Sequence, residues 1–151
     1  MNLLNVEEHD YLNVWKGMED IKKLNLARSI GVSNFNSTEI NKILANSKTV
    51  PSVNQIEVNP TYTNLDLVAY CQSMNITVMA YAPFGFLVPR PYLNYTTGLT
   101  FEDSVFRRIA QKYRKTTSQI VLRYLIDRKT IPIPSSTNTG RIKSNIDLLD
   151  F

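Results

Sequence analysis

An apolar strand that breaks off into polar or aromatic side chains recurs four times in this chain. The first instance is residues 28–35, Arg-Ser-Ile-Gly-Val-Ser-Asn-Phe, where the pair Ser33–Asn34 closes the apolar run and a helix starts at once. Asn59-Pro60 closes Val53-Asn54-Gln55-Ile56-Glu57-Val58, and Tyr81 ends Ile76-Thr77-Val78-Met79-Ala80 before Pro83 and Gly85. Ser135-Ser136-Thr137-Asn138 follows Thr130-Ile131-Pro132-Ile133-Pro134. In a parallel α/β fold, polar groups at the C-terminal end of a strand are where ligands are held. The fourth junction offers backbone N–H groups at a helix start together with Ser136, Thr137 and Arg141, a place that favours phosphate. Arg141 and Asn145 are four residues apart and share a helix face.

The elements that position these junctions alternate. Tyr11, Leu12, Trp15, Met18, Ile21 and Leu24 fall at three- and four-residue steps with charged residues between them, which predicts an amphipathic helix over 11–24. A strand is expected over 28–33, then a helix opened by Asn36 with Glu39 three residues on, a capping box, and buried through Ile40, Ile43 and Leu44. Strand cores near residues 29, 53 and 77 recur every 24 residues, a length that suits one strand, one helix and two short loops. Such alternation predicts parallel strands. The beat breaks at 85–101, a long Pro-, Gly-, Tyr- and Thr-rich segment of the kind that forms functional lids or linkers. Helices follow over about 103–114 and 118–128, the second opened by Thr116 with Gln119, and a fourth strand over 130–134 carries two prolines that cannot donate to a ladder.

Composition narrows the function classes. The chain has 151 residues, 43% hydrophobic and 20% charged, and lacks an apolar run of the length a membrane span needs, so a globular, non-membrane protein is expected. The net charge of +4 is spread along the chain, which reads as a solvated surface rather than a nucleic-acid face. Cys71 is the sole cysteine and sits in an apolar helical pattern, so the reading is a core thiol in a reducing, cytoplasmic compartment. No signal peptide is evident at the N-terminus. His9, the sole histidine, lies in Glu-Glu-His-Asp ahead of the first helix and reads as a surface or capping residue. No metal ligands are assigned.

Taken together, four segments in order and spacing resemble the C-terminal half of the aldo-keto reductases. They are Arg28-Ser29-Ile30-Gly31-Val32-Ser33-Asn34-Phe35, Val53-Asn54-Gln55-Ile56-Glu57 with Asn59-Pro60, Ala80-Tyr81-Ala82-Pro83-Phe84-Gly85, and Ile133-Pro134-Ser135-Ser136 with Arg141 and Asn145. The resemblance covers residues 1–151 and implies one partial oxidoreductase domain, about four β/α units of a parallel (β/α)8 barrel that needs about 250 residues. It implies NADPH as cofactor and small aldehydes or ketones as substrates of the intact enzyme. Ser33, Asn34 and Gln55 are implied to hold the nicotinamide carboxamide, Tyr81 to stack on the ring, and Ser136, Thr137, Arg141 and Asn145 to hold the adenosine end. The residue types suit these roles, since amides and hydroxyls match both senses of a carboxamide and an aromatic face stacks without competing polar atoms. From spacing alone, Ser33–Asn34 reads as a helix cap and Tyr81 as barrel filling; the four motifs together reverse that preference.

The family's catalytic Asp, Tyr, Lys and His belong to the first half of the barrel, so none is assigned here and the chain alone is expected to be inactive. Ser135 stands where the family usually has Lys or Arg, and Ser144 where an acidic residue is common. Losing a cation beside a dianionic phosphate weakens binding by about 1–3 kcal/mol. Segment 85–101 matches the loop that folds over the pyrophosphate, with Arg90 as a phosphate contact. A non-catalytic product, either truncated or a vestigial nucleotide-binding half-barrel, is the alternative. Half a barrel exposes strand edges and an apolar interior, which favours self-association.

Overall fold

The computed structural model describes residues 10–88 and 98–151. In chain order the elements are α1 (Tyr11–Lys23), β1 (Val32–Ser33), α2 (Ser37–Asn46), β2 (Val53–Glu57), α3 (Leu65–Ser73) and β3 (Thr77–Tyr81). A 3-10 turn at Gly85–Leu87 follows, then α4 (Ser104–Tyr113), α5 (Thr117–Asp127), β4 (Thr130–Pro132) and α6 (Thr139–Ile146). The four strands form one parallel sheet in the order β1-β2-β3-β4. Strands laid down in sequence order, each followed by helix, are what a barrel wall requires; a doubly wound sheet would reverse direction partway.

Strand alternation decides which face is core. Asn54 and Ile56 of β2 and Val78 and Ala80 of β3 are buried, while Val53, Gln55, Glu57, Met79 and Tyr81 between them are only half-buried. The buried set packs against Ile40 of α2, Val68 and Cys71 of α3, and Leu125 of α5. A second cluster joins Trp15 of α1 to Ile30 and Ile43. The opposite sheet face carries no helix layer among the described residues, and Ile131 on it is 50% exposed. No described helix is long and apolar enough to cross a membrane.

Local signals were realised where expected. Both capping boxes form, Asn36 with Glu39 and Thr116 with Gln119. Other expectations are corrected. The ladder of the first strand is confined to Val32–Ser33, although Ile30 O accepts from Ser52 N at 2.9 Å and Asn34 N donates to Gln55 O at 2.9 Å, so pairing reaches beyond the strand. The regular 24-residue beat holds between β2 and β3, where Val53 faces Thr77, but Val32 faces Asn54, two residues short of it. In that register a Cβ on Gly31 would stand 2.7 Å from Val53 O, so glycine lets the β1 chain lie close against the start of β2. Finally, Ile21 and Leu24 are 44% and 69% exposed, because α1 covers the α2 side of the core with its N-terminal turns alone. The fourth strand stops at Pro132, and Ile133 N continues the pairing to Ala80 O at 3.0 Å. His9 and Arg90 lie outside the described residues, as do positions 89–97 of the long segment.

Candidate functional site

At the C-terminal end of β1 the chain turns through Asn34, whose φ of +59° is one that asparagine tolerates better than most residues. Ser33 Oγ donates to Gln55 O at 3.0 Å, tying the turn to β2. Behind it lies Asn54, fully buried, which grips Phe35 by both main-chain groups. Its Nδ2 donates to Phe35 O at 2.8 Å and its Oδ1 accepts from Phe35 N at 3.4 Å. A further contact, Asn54 Nδ2 to Cys71 Sγ at 3.7 Å, places the thiol in the same packed layer. Burial pushes the Cys71 thiol above its ordinary range, and the Asn54 hydrogen bond opposes this only in part, so the core reading of that cysteine stands.

The register places Ser33 beside Gln55, Gln55 beside Met79, and Glu57 beside Tyr81, so these side chains share the sheet face that has no helix layer. Asn34 and Tyr81 line one cavity of about 300 Å³ with Glu57, Tyr62 and Asn64. Ser33 instead backs onto an apolar groove formed with Tyr11, Trp15, Met18 and Ile43. The Trp15 Nε1 and Tyr11 hydroxyl are buried without a partner among the described residues.

A larger cavity, about 700 Å³, opens at the start of α6. Ser135, Ser136, Arg141, Ser144 and Asn145 line one side, Phe84 and Phe101 the other, their rings in edge contact at 5.4 Å. Asn138 caps α6, its Oδ1 accepting from Arg141 N at 3.0 Å, and Ser136 Oγ accepts from Asn138 N at 3.1 Å. Among the described residues lining this cavity, Arg141 is the one cation. Thr137 is exposed and does not line it. The sequence-derived residues therefore fall into two cavity groups, Asn34 with Tyr81 at the strand ends and Ser136, Arg141 and Asn145 at α6, while Ser33 and Gln55 line neither cavity. No cluster of three metal-ligating side chains occurs among the described residues.

The C-terminal end of α6 is clamped to α5. Lys115 Nζ pairs with Asp147 at 2.8 Å and Asp150 at 2.7 Å, Gln119 Nε2 donates to Asp147 O at 2.9 Å, and Arg123 donates to Leu148 O at 3.0 Å. Hydrogen bonds to Asp147 and then Asp150 raise the Lys115 ammonium above its usual value, and the Lys115 hydrogen bond holds the Asp150 carboxyl below its own. Asn54 and the Lys115 clamp were not singled out from sequence. For Asn54 a signal exists, since it is a polar residue at a core phase of an alternating strand.

These arrangements belong to a known family: residues 4–151 match the aldo/keto reductase family, and the chain is a member of it. It is 56% identical over 142 residues to aldo-keto reductase AKR2E4 of Bombyx mori, covering 94% of this chain and 46% of that protein. It is 36% identical over 141 residues to human aldo-keto reductase family 1 member A1, covering 93% and 43%. The crystal structure of the Bombyx mori AKR2E4 in complex with NADP superposes with a TM-score of 0.91 over 94% of this chain. That of AKR2E5 complexed with NADPH, 39% identical, does so with 0.91 over 96% of this chain and 44% of its own. The chain thus spans under half the length of these relatives. Its structural neighbours are (β/α)8 barrels, of which it supplies about half.

Asn54→Ala leaves both main-chain groups of Phe35 without partners in the core and is expected to destabilise by about 2–3 kcal/mol, read as a lower urea midpoint. The clamp predicts a pH signature. The depressed Asp150 carboxyl contributes stability that is fully present above the unfolded carboxylate value and lost as pH falls through the folded one. The raised Lys115 contributes stability present below the unfolded ammonium value and lost as pH rises through the folded one. Lys115→Met is therefore expected to lower the urea midpoint by a constant amount between about pH 5 and 9, the gap closing in acid and in strong base.

Proposed function

We propose that this chain is the coenzyme-holding half of an NADPH-dependent reductase that converts aldehydes and ketones to alcohols. The observation that carries this is the pairing of two sites: an amide-and-aromatic cavity lined by Asn34 and Tyr81 at the strand ends, and a cavity at the start of α6 with Arg141 as its cation. The donor set fits the coenzyme. Ser33, Asn34 and Gln55 supply the donors and acceptors a carboxamide needs, Tyr81 offers a ring face, and the α6 end supplies hydroxyls, N–H groups and a guanidinium for phosphate. Two family members of closely similar structure hold NADP or NADPH.

When bound, NADPH supplies the hydride for carbonyl reduction. In this account, Ser33, Asn34 and Gln55 stop the carboxamide rotating, while Tyr81 covers one ring face and leaves the other to the substrate. Ser136, Arg141 and Asn145 anchor the adenosine end, with the Arg141 guanidinium and the Ser136 hydroxyl available to the 2′-phosphate. The proton donor to the carbonyl oxygen, a general acid, is contributed from outside this chain, so these residues alone bind without turnover. The compartment is cytoplasmic in this reading. The uncovered sheet face, with Ile131 half-exposed, supports a second reading in which this chain self-associates through that face as a non-catalytic product.

Fluorescence titration with NADPH tests the first reading. Arg141→Ala is expected to weaken binding about tenfold to a hundredfold, as for a lost charge-assisted hydrogen bond, and Thr137→Ala to change it by less than about twofold. Saturable binding without turnover of an aldehyde supports the assignment; no binding, or equal effects of the two variants, contradicts it. Sedimentation velocity tests the second: a monomer at all concentrations rules out association through the sheet face.

A further inference from the structure

Asn59 is fully buried at the crossing of two loops that leave the ends of neighbouring strands. Its Oδ1 accepts from Thr61 N at 3.0 Å, Tyr62 N at 2.8 Å and Thr61 Oγ1 at 2.7 Å. Its Nδ2 donates to Ala82 O at 3.2 Å and Glu57 Oε1 at 3.1 Å. Two main-chain N–H groups can only donate and a main-chain carbonyl can only accept, so the amide has one permitted orientation. Both of its protons and its oxygen are committed.

What those protons hold is the surroundings of Tyr81. Ala82 follows Tyr81 directly and sits at φ +45°, a conformation alanine rarely adopts. Glu57 is the register partner of Tyr81 across the β2–β3 ladder. The next turn is pressed onto the same amide. Gly85 has φ +50°, and a Cβ there would stand 2.3 Å from Asn59 Oδ1, while Phe86 N donates to Thr61 Oγ1 at 3.3 Å. Asn59 thus ties the β2–α3 loop to the β3 exit on both sides of the tyrosine.

We propose that Asn59 is a positioning residue for the coenzyme: through the Ala82 carbonyl and the Glu57 carboxylate it sets the angle of the Tyr81 ring on which the nicotinamide stacks. This rests on the coenzyme reading above. A carboxylate at position 59 keeps the shape but cannot donate to Ala82 O, and it places like charge beside Glu57.

The test uses the 151-residue chain with two probes, NADPH and adenosine 2′,5′-bisphosphate, which carries the adenosine end without a nicotinamide. Asn59→Asp is expected to weaken NADPH about tenfold and to leave the bisphosphate within about twofold; Thr61→Val, a milder break in the same junction, is expected to weaken NADPH about threefold with the same selectivity. A loss shared equally by both probes, or by neither, overturns the proposal, and Thr61→Val decides if Asn59→Asp does not fold. Should the unsubstituted chain fail to bind NADPH, the coenzyme reading fails on its own. The Tyr81 ring resonances of the ligand-free chain then settle the positioning claim, displaced in the variants if it holds and unmoved if it does not.

Discussion

Strands β1, β2 and β3 are held in a parallel register in which odd-numbered residues of β2 face one way and even-numbered residues the other, and this period of two separates core from site. Ile56, Val78 and Ala80 are committed to the helix layer, so Gln55, Glu57, Met79 and Tyr81 must stand on the opposite face. A one-residue slip between β2 and β3 would exchange the two sets, sending the candidate ligand groups into the hydrophobic layer. The apolar packing that stabilises the sheet is therefore also what aims the site. The closeness of the β1 and β2 chains at Gly31 extends the same register to Ser33.

Register aims side chains but does not hold the loops that follow each strand. That work falls to buried amides. Asn54 binds both main-chain groups of Phe35, the residue after Asn34, and Asn59 binds the carbonyl of Ala82, the residue after Tyr81. In each case the amide acts one residue beyond the side chain that meets the cavity. Buried polar groups with all partners in place are rigid, because any rearrangement leaves a donor or acceptor unpaired in a low-dielectric interior. Left-handed Asn34 and Ala82 are thus maintained by Asn54 on β2 and by Asn59 in the loop that follows it.

Much of this order was legible in the chain. Capping boxes at Asn36 and Thr116 are local patterns whose partners lie three residues away, and the strand-to-helix junctions at Ser33 and Ser135 are marked by abrupt changes of polarity. Less legible was anything set by pairing over long separations. The shortened offset between β1 and β2 is a property of the strand pairing, in which Val32 meets Asn54. Ile21 and Leu24 continue the apolar stripe of α1 beyond the surface it covers, and periodicity alone cannot say where a helix runs out of partner. Thr137 shares the polar run of Ser136 but not its cavity, since side-chain direction within a capping loop is fixed by the turn and not by composition. Asn54 and Asn59 stood inside motifs read for other residues.

The central claim is that the strand-end amides with Tyr81, and the start of α6 with Arg141, grip two ends of one molecule. Amide and side-chain NMR of the isotopically labelled chain, titrated with NADPH, reads both ends at once. The account predicts that resonances of Asn34, Gln55 and Tyr81 shift together with those of Ser136, Arg141 and Asn145 along a single saturation curve. Shifts confined to one group, or following two different saturation curves, would contradict it.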